Sequence, residues 1–306
     1  MANLQGDTSI IAISEADNDI RLDQYLSQHD PALSRSQWQR QISLGHVLLN
    51  GQVVKSSRSL KEGDKLTISS IFSQADPPLA PHAHELNIIY EDTDVLVIDK
   101  PAGLVTHPSH PGRTEPSVAG AIAALVSDED PIRPGIVHRL DKATSGVMIV
   151  AKNLDAKSSL QAAFKSRAVE KHYLALVWGE MGPGVRRLNF ALSPSTGGPT
   201  AVQLDPLGKP AESFIQVVGR GKDVSLLDVR PTTGRTHQIR VHCKAIGHPI
   251  VGDTQYGHTH DSYRLMLHAH SLTIPLPNGQ TKTFTSQLPP DFTAVLKTFS
   301  CNYEVK

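Results

Sequence analysis

IVHRLDKATSGVMIVAK, residues 136–152, crowds a His, an Arg, an Asp and a Lys into the five positions His138 to Lys142. A Thr-Ser-Gly turn follows at Thr144, Ser145 and Gly146, and then the apolar run Val147 to Ala151. An apolar run bounded by turn residues reads as a buried strand, which puts the charged cluster on the loop that feeds it. Polar groups on a loop anchored by a rigid strand are a common layout for a functional site. The same residues also fit a surface loop whose Arg139 and Asp141 form a solvated ion pair, worth at most about 1 kcal/mol. Physical chemistry alone leaves both readings standing.

The nine residues HRLDKATSG at 138–146 resemble the HRLDxxTSG signature of the RluA-type pseudouridine synthases, which isomerise uridine to pseudouridine in RNA. Five further blocks resemble that family in the same order. They are YEDTDVLVIDKPAGLVTHP at 90–108, the Lys171-His172-Tyr173 step, GRTHQIRVH at 234–242, the IGHPIVGD tail ending at Asp253, and Tyr256-Gly257 followed by Arg264 to Ala269. Upstream, an RLDxxL opening at Arg21, the SRSQ at Ser34 and a GxVxxNG hairpin at Gly45 resemble the RNA-binding module of ribosomal protein S4. The resemblance covers about Ile20 to Phe292. It implies an α+β chain in which a small N-terminal RNA-binding module precedes a catalytic domain. That domain would be built on a mixed, mainly antiparallel sheet flanked by helices and loops.

The residues themselves agree with that division. A chain of 306 residues has room for two domains. Residues 1–14 read as a short lead-in, 15–70 as the module, 71–85 as a linker with three prolines, and 86–300 as the catalytic domain. In the module, Leu22, Tyr25 and Leu26 mark one helix face, and Ser34 is placed to cap a second helix containing Trp38 and Ile42. Val47–Leu49 and Val53–Val54 are expected to form a hairpin across Asn50-Gly51, with a last strand over 65–68. In the second domain the expected strands are 86–90, 95–98, 173–178, 213–218 and 224–229. Helices are expected over 118–126, capped by Ser117, over 156–167, and after Thr236, with Gly247 as the stop. A hairpin around Asn278-Gly279 and a short helix close the pattern. Residues 181–210 give no clear period.

Lys+Arg and Asp+Glu both number 30, so attraction for a polyanion must come from local patches. One patch is Arg35, Arg40, Lys55, Arg58 and Lys61, with no acidic residue between Ser34 and Lys61. Set beside the S4-like pattern, these five are candidate phosphate contacts, which position RNA without reading its sequence. A second patch runs from Arg133 to Lys171, with eight basic residues against three acidic ones. Two cysteines, Cys243 and Cys301, provide neither a disulfide framework nor a thiolate zinc site. The start of the chain has no signal- or transit-peptide character, and no apolar run nears the roughly 20 residues of a membrane span. A cytoplasmic protein is expected, with no membrane association and no obligatory protein partner.

By the family pattern, Asp141 is the reacting group, Arg235 the cation that keeps it ionised, and Arg139 the side chain that fills the gap left by a flipped base. Tyr173 is the aromatic that packs on the target uracil. The isomerisation loses no atoms, so neither a cofactor nor a metal is expected. Ala143 departs from the family, which usually has an acidic or polar residue there, and the change touches the hydrogen bonding of the signature loop. Ribosomal RNA of the large subunit is the expected partner, with tRNA as the alternative. Two rival readings remain: an inactive RNA-binding protein, and a metal-dependent hydrolase suggested by the pairs His258/His260 and His268/His270. The hydrolase reading lacks an H-E-x-x-H or comparable ligand set.

Overall fold

The computed structural model describes residues 8–30, 33, 35–69, 85–108, 115–128, 130, 133–195, 201–258 and 262–303. The chain divides into two units, Met1–Asp76 and Pro77–Lys306. The division falls inside the stretch read as a linker, most of which, including His82 and His84, lies outside the described residues.

In the first unit β1 (Thr8–Ala12), α1 (Leu22–His29), α2 (Arg35–Ser43), β2 (Val47–Leu49) and β3 (Lys65–Ser69) follow one another. The strands form an antiparallel sheet in the order β1-β3-β2. Leu22, Tyr25 and Leu26 of α1 and Trp38 and Ile42 of α2 are buried against Val47, Leu49 and Leu66 of the sheet. Trp38 is fully buried, and its indole N–H donates to the Asp30 carbonyl at 3.1 Å. Two expectations fail here. The 1–14 lead-in contains β1, an edge strand whose only sheet partner is β3, about 57 residues on. Asn50-Gly51 does turn the chain, with both residues at positive φ, but only Gln52 pairs back, to Leu49. The expected Val53–Val54 strand is absent, and β3 takes its place beside β2. Ser34, the expected cap of α2, lies outside the described residues.

The second unit comprises β4 (Asn87–Glu91), β5 (Val95–Lys100), α3 (Val118–Ile122), β6 (Ser145–Ala151), α4 (Leu154–Lys165), β7 (Glu170–Trp178), β8 (Val185–Pro194) and β9 (Val202–Leu204). It continues with β10 (Lys209–Gly221), β11 (Val224–Pro231), α5 (Gln238–Ala245), β12 (Leu267–Pro275), β13 (Thr281–Thr285) and α6 (Pro290–Thr298). All ten strands join one sheet in the order β4-β5-β6-β12-β7-β11-β10-β8-β9, with β13 attached to β12. Only the β6–β12 pairing is parallel, so the sheet is mixed and mainly antiparallel. β6 is buried at every position, as its apolar run requires. Its neighbours β5, α3 and α4 bury Val97, Ile98, Ile122 and Leu160 on it. A second core gathers β7, β11, α5 and α6 around Leu176, Leu227, Cys243 and Phe292.

Local chemistry sets the boundaries. Asp92 accepts the N–H groups of Asp94 and Val95, which closes the β4–β5 turn. The Ser117 hydroxyl accepts from Gly120 N–H and caps α3, which is shorter than its apolar run suggested. The expected Thr236 cap is replaced by His237, which holds a left-handed backbone at φ 53° immediately before α5. β8 and β9 occupy the stretch that showed no period, because their outer positions are exposed on the edge of the sheet.

Candidate active site

The turn after β5 grips the loop before β6, so Asp141 is fixed from both sides. The Thr106 hydroxyl donates to the Leu140 carbonyl at 2.9 Å and accepts the Leu140 N–H at 3.2 Å. Two residues on, the Lys142 carbonyl accepts the Gly103 N–H at 2.8 Å and the Lys100 ammonium at 3.3 Å. The Lys100 Nζ also donates to the carbonyls of Pro101 and Leu104, both at 2.9 Å, and its side chain is fully buried. Burial pushes the Lys100 ammonium down to about 7, against the pull of the Asp141 and Asp99 carboxylates. Gly146 completes the support at φ 117°, where a Cβ would run into the backbone of Ala269 on β12. Beside it the Ser145 hydroxyl meets His268 Nδ1 at 3.0 Å, and His268 Nε2 bonds the Ser286 carbonyl at 3.1 Å.

Asp141 opens into a cavity of about 540 Å³. The described lining carries six cationic side chains, Arg139, Lys165, Arg167, Lys171, Arg235 and Arg240, and one carboxylate, Asp141. Tyr173 forms part of the wall, and its phenol is pushed up by burial first and then by the Asp141 charge. Arg139 is exposed at the rim, and no hydrogen bond or ion pair with a described residue holds it. Lys171 also points into the cavity, and burial pushes its ammonium down. His138 faces inward with its ring stacked on Phe164, centroids 4.8 Å apart, while its Nε2 accepts the Ile149 N–H at 3.0 Å. Burial, reinforced by the nearby Lys171, pushes His138 down to about 3, so it is a neutral structural acceptor.

The expected partner of Asp141 is corrected. Arg235, in the turn before α5, does line the cavity, but its Nε donates to the Pro210 carbonyl of β10 at 3.2 Å. Arg240, one turn into α5, reaches Asp141 instead, Nη1 to Oδ2 at 3.6 Å. Its Nε and Nη2 donate to the two oxygens of Asp253, both at 2.8 Å, so the fork geometry of the guanidinium aims the remaining nitrogen. His237 approaches the other oxygen, Nε2 to Oδ1 at 3.9 Å. Sequence reading passed over Arg240 because the motif contains two arginines. The available signal was an arginine set among Ile239, Val241 and Cys243 on a helix buried nearly all round. Lys100 gave a similar signal, a lysine ending the apolar strand VLVIDK.

In the first unit, Lys55, Arg58 and Lys61 are exposed, as the phosphate-contact reading requires. Arg35 is different. Its Nε and Nη2 both donate to Asp23 at 3.1 Å, so it helps compensate a buried carboxylate while staying about half exposed. The side chain of Arg40 lies outside the described residues. Of the histidines that suggested a metal, His268 and His270 both bond Ser286. His258 stands edge-on to Trp178, and His260 lies outside the described residues. No cluster of three or more metal-ligating side chains occurs among the described residues. No helix among them is long and apolar enough to cross a membrane. Ala143 packs against the second core, where a polar side chain would lose its hydration.

The chain matches the RNA pseudouridylate synthase family over residues 94–245 and the S4 domain over residues 20–66. An RNA pseudouridine synthase of Bacillus subtilis, itself described as uncharacterized, is 35% identical, with 95% of this chain and 98% of the relative aligned. The chain belongs to the RNA pseudouridine synthases. Members of Nitrosomonas europaea (34% identical, 97% of this chain, 90% of the relative) and Yersinia pestis (37%, 80% and 75%) are both called ribosomal large subunit pseudouridine synthase D. Among solved structures, human RNA pseudouridylate synthase domain containing 1 superposes with a TM-score of 0.60 at 30% identity, covering 74% of this chain and 92% of its own. Pseudouridine synthases are isomerases, and the metal-hydrolase reading of the histidines is set aside.

Proposed function

We propose that this pseudouridine synthase acts on uridines of large-subunit ribosomal RNA, flipped into the cavity and converted through Asp141. The observation that carries the proposal is one carboxylate set among six cationic side chains in the described lining of the cavity, held on a loop pinned one residue to either side. A volume of about 540 Å³ suits a single nucleotide. The cationic rim supplies counter-charges for the phosphates on either side of it.

The reaction breaks the uridine N1–C1′ bond, turns the detached base and joins C5 to C1′. A carboxylate can serve it as a nucleophile or as a base. Arg240 faces that carboxylate as its ion-pair partner, Nη1 to Oδ2 at 3.6 Å. Tyr173 is placed to stack on the uracil and keep it from leaving. Arg139, exposed and without a partner among the described residues, is free to enter the gap in the base stack. Extrusion costs a few kcal/mol, which the phosphate contacts help offset.

Purified protein with 5-tritiated ribosomal RNA tests the chemistry. Asp141→Asn is expected to abolish tritium release while RNA binding is retained, and release by the variant would refute the role of Asp141. The ribosomal substrate is supported by the names of the Nitrosomonas and Yersinia relatives. Mapping pseudouridines in total RNA from cells with and without the gene checks it. A loss confined to tRNA would overturn that part of the proposal.

A further inference from the structure

We infer that His237 and Tyr256 form a positioning pair that orients the second oxygen of Asp141, and that the left-handed turn before α5 exists to place it. The inference rests on Asp141 being the reacting group. Arg240 accounts for one carboxylate oxygen, Oδ2. A single point of attachment would leave the carboxylate plane free to rotate about its Cβ–Cγ bond. His237 Nε2 stands 3.9 Å from Oδ1, beyond hydrogen-bond length but within about an ångström of it. Contacts of this kind tighten when substrate closes the site.

The proton pattern can be worked out from the partners of Tyr256. Its hydroxyl oxygen accepts the Val202 N–H at 2.9 Å and lies 2.8 Å from His237 Nδ1. With one contact already a donation from the backbone, the hydroxyl proton is available for Nδ1. The imidazole then carries its hydrogen on Nε2, the nitrogen that faces Asp141. Burial pushes His237 down from its usual range, against the pull of Asp141 and with the push of Arg240, so the neutral form is the resident one. A neutral N–H donor orients a carboxylate without a second full charge that would over-stabilise the resting anion.

The surrounding framework is rigid. Gln238 accepts the Arg235 N–H and the Thr233 hydroxyl, and its amide donates to the Glu212 carbonyl and to Ser213, which fixes the turn carrying His237. Asp253 accepts the Tyr256 N–H at 3.0 Å through the same carboxylate that grips Arg240. The Arg240 guanidinium also lies over the Tyr256 ring, 4.8 Å from its centroid. One buried acid therefore sets both devices that act on Asp141, one per oxygen.

His237→Asn and His237→Gln separate this role from a purely structural one. Asn tolerates the left-handed backbone better than Gln, but its short side chain cannot bring an N–H to Asp141. Gln can. With 5-tritiated RNA that the wild-type enzyme converts, His237→Asn is expected to lower kcat on the order of 10- to 100-fold with an unchanged KM. His237→Gln is expected to recover most of that loss. Tyr256→Phe keeps the ring under Arg240 and removes only the hydroxyl, and should lower kcat about tenfold on the same grounds. Asn performing as well as Gln, losses falling on KM alone, or a Tyr256→Phe enzyme with wild-type kcat would each overturn the inference. Asp141→Asn assayed alongside separates the two levels. Product from that variant sinks the reading of Asp141 itself, whereas an inactive Asp141→Asn beside a fully active His237→Asn sinks only the positioning pair.

Discussion

Replacing Arg240 by Lys asks whether Asp141 needs a charge or a fork. A lysine would keep one positive charge, but it cannot give two parallel hydrogen bonds to Asp253 and still extend a third nitrogen to Asp141. Asp253 is almost fully buried, so weakening its pairing leaves a poorly compensated charge, at about 1–3 kcal/mol. For a unit of this size that corresponds to a fall in Tm of several degrees. Activity should fall further, about 100-fold in kcat, because the carboxylate loses its aim. Tritium release and calorimetry on the same preparation check both parts. An enzyme with near-normal kcat would show that Asp141 relies on charge alone. The loop that carries Asp141 and the strand after it were legible from simple turn and burial chemistry, whereas the role proposed for Asp141 came from the family resemblance. Its partner was not, since Arg235 and Arg240 share one motif, both line the cavity, and only the start of α5 at Gln238 decides which of them reaches Asp141.

The β5 turn and the β6 loop act as one clamp, and Lys100 is its centre. Lys100→Met removes the donor to three carbonyls, of which that of Leu104 is buried, while filling much the same volume. The Lys142 carbonyl keeps its Gly103 bond and Pro101 is exposed, so the Leu104 carbonyl carries most of the penalty, about 1–3 kcal/mol. Thermal melting should show that loss, and kcat should fall with it because Lys142 follows Asp141 directly. A variant as stable as wild type would mean that water replaces the ammonium. A second clamp lies between α1 and α2. Burial alone would raise the Asp23 carboxyl, but hydrogen bonds from Arg21, Arg35 and Gln39 outweigh it and hold Asp23 well below the usual carboxylate range. The folded state thus binds fewer protons than the unfolded one below about pH 5, where an ordinary Asp begins to protonate. The Asp23 contribution is therefore complete above about pH 5 and is lost as pH falls further. Asp23→Asn should cost about 2 kcal/mol at pH 7, since both arginines are nearly half exposed, and should flatten the acid limb of the stability curve. Chemical denaturation from pH 3 to 7 measures this. Elements with an apolar run between turn residues, such as β6, β7 and the β10–β11 pair, could be read directly. β1, β8 and β9 could not, because strands at or next to the edge of a sheet need bury little, and β1 depends on a partner far along the chain.

At the scale of the whole molecule a net charge of zero conceals two groups of cations, the exposed ones of the first unit and those lining the cavity of the second. The cations of the first unit can be changed without altering any residue that lines the cavity. Lys55, Arg58 and Lys61 are exposed, and the acids that follow them are Glu62 and Asp64, the Asp64 carboxyl being lowered chiefly by hydrogen bonds from Asn50 and the Lys61 N–H. Changing the three cations to Gln should weaken RNA binding and make the dependence of log Kd on log salt shallower by about 2, near 0.7 to 0.9 per lost phosphate contact. The deficit should shrink at high salt, where counterion release contributes little to the wild type as well. Arg35→Gln should behave in the opposite manner. Its guanidinium is committed to Asp23, so the main expected effect is a loss of stability, with a smaller change in salt slope. Binding titrations of both variants between about 50 and 200 mM salt, paired with melting curves, separate the two roles. A triple variant with the wild-type slope would place the RNA-contacting face of the first unit elsewhere, and an Arg35→Gln variant that melts normally but loses slope would return Arg35 to the RNA surface.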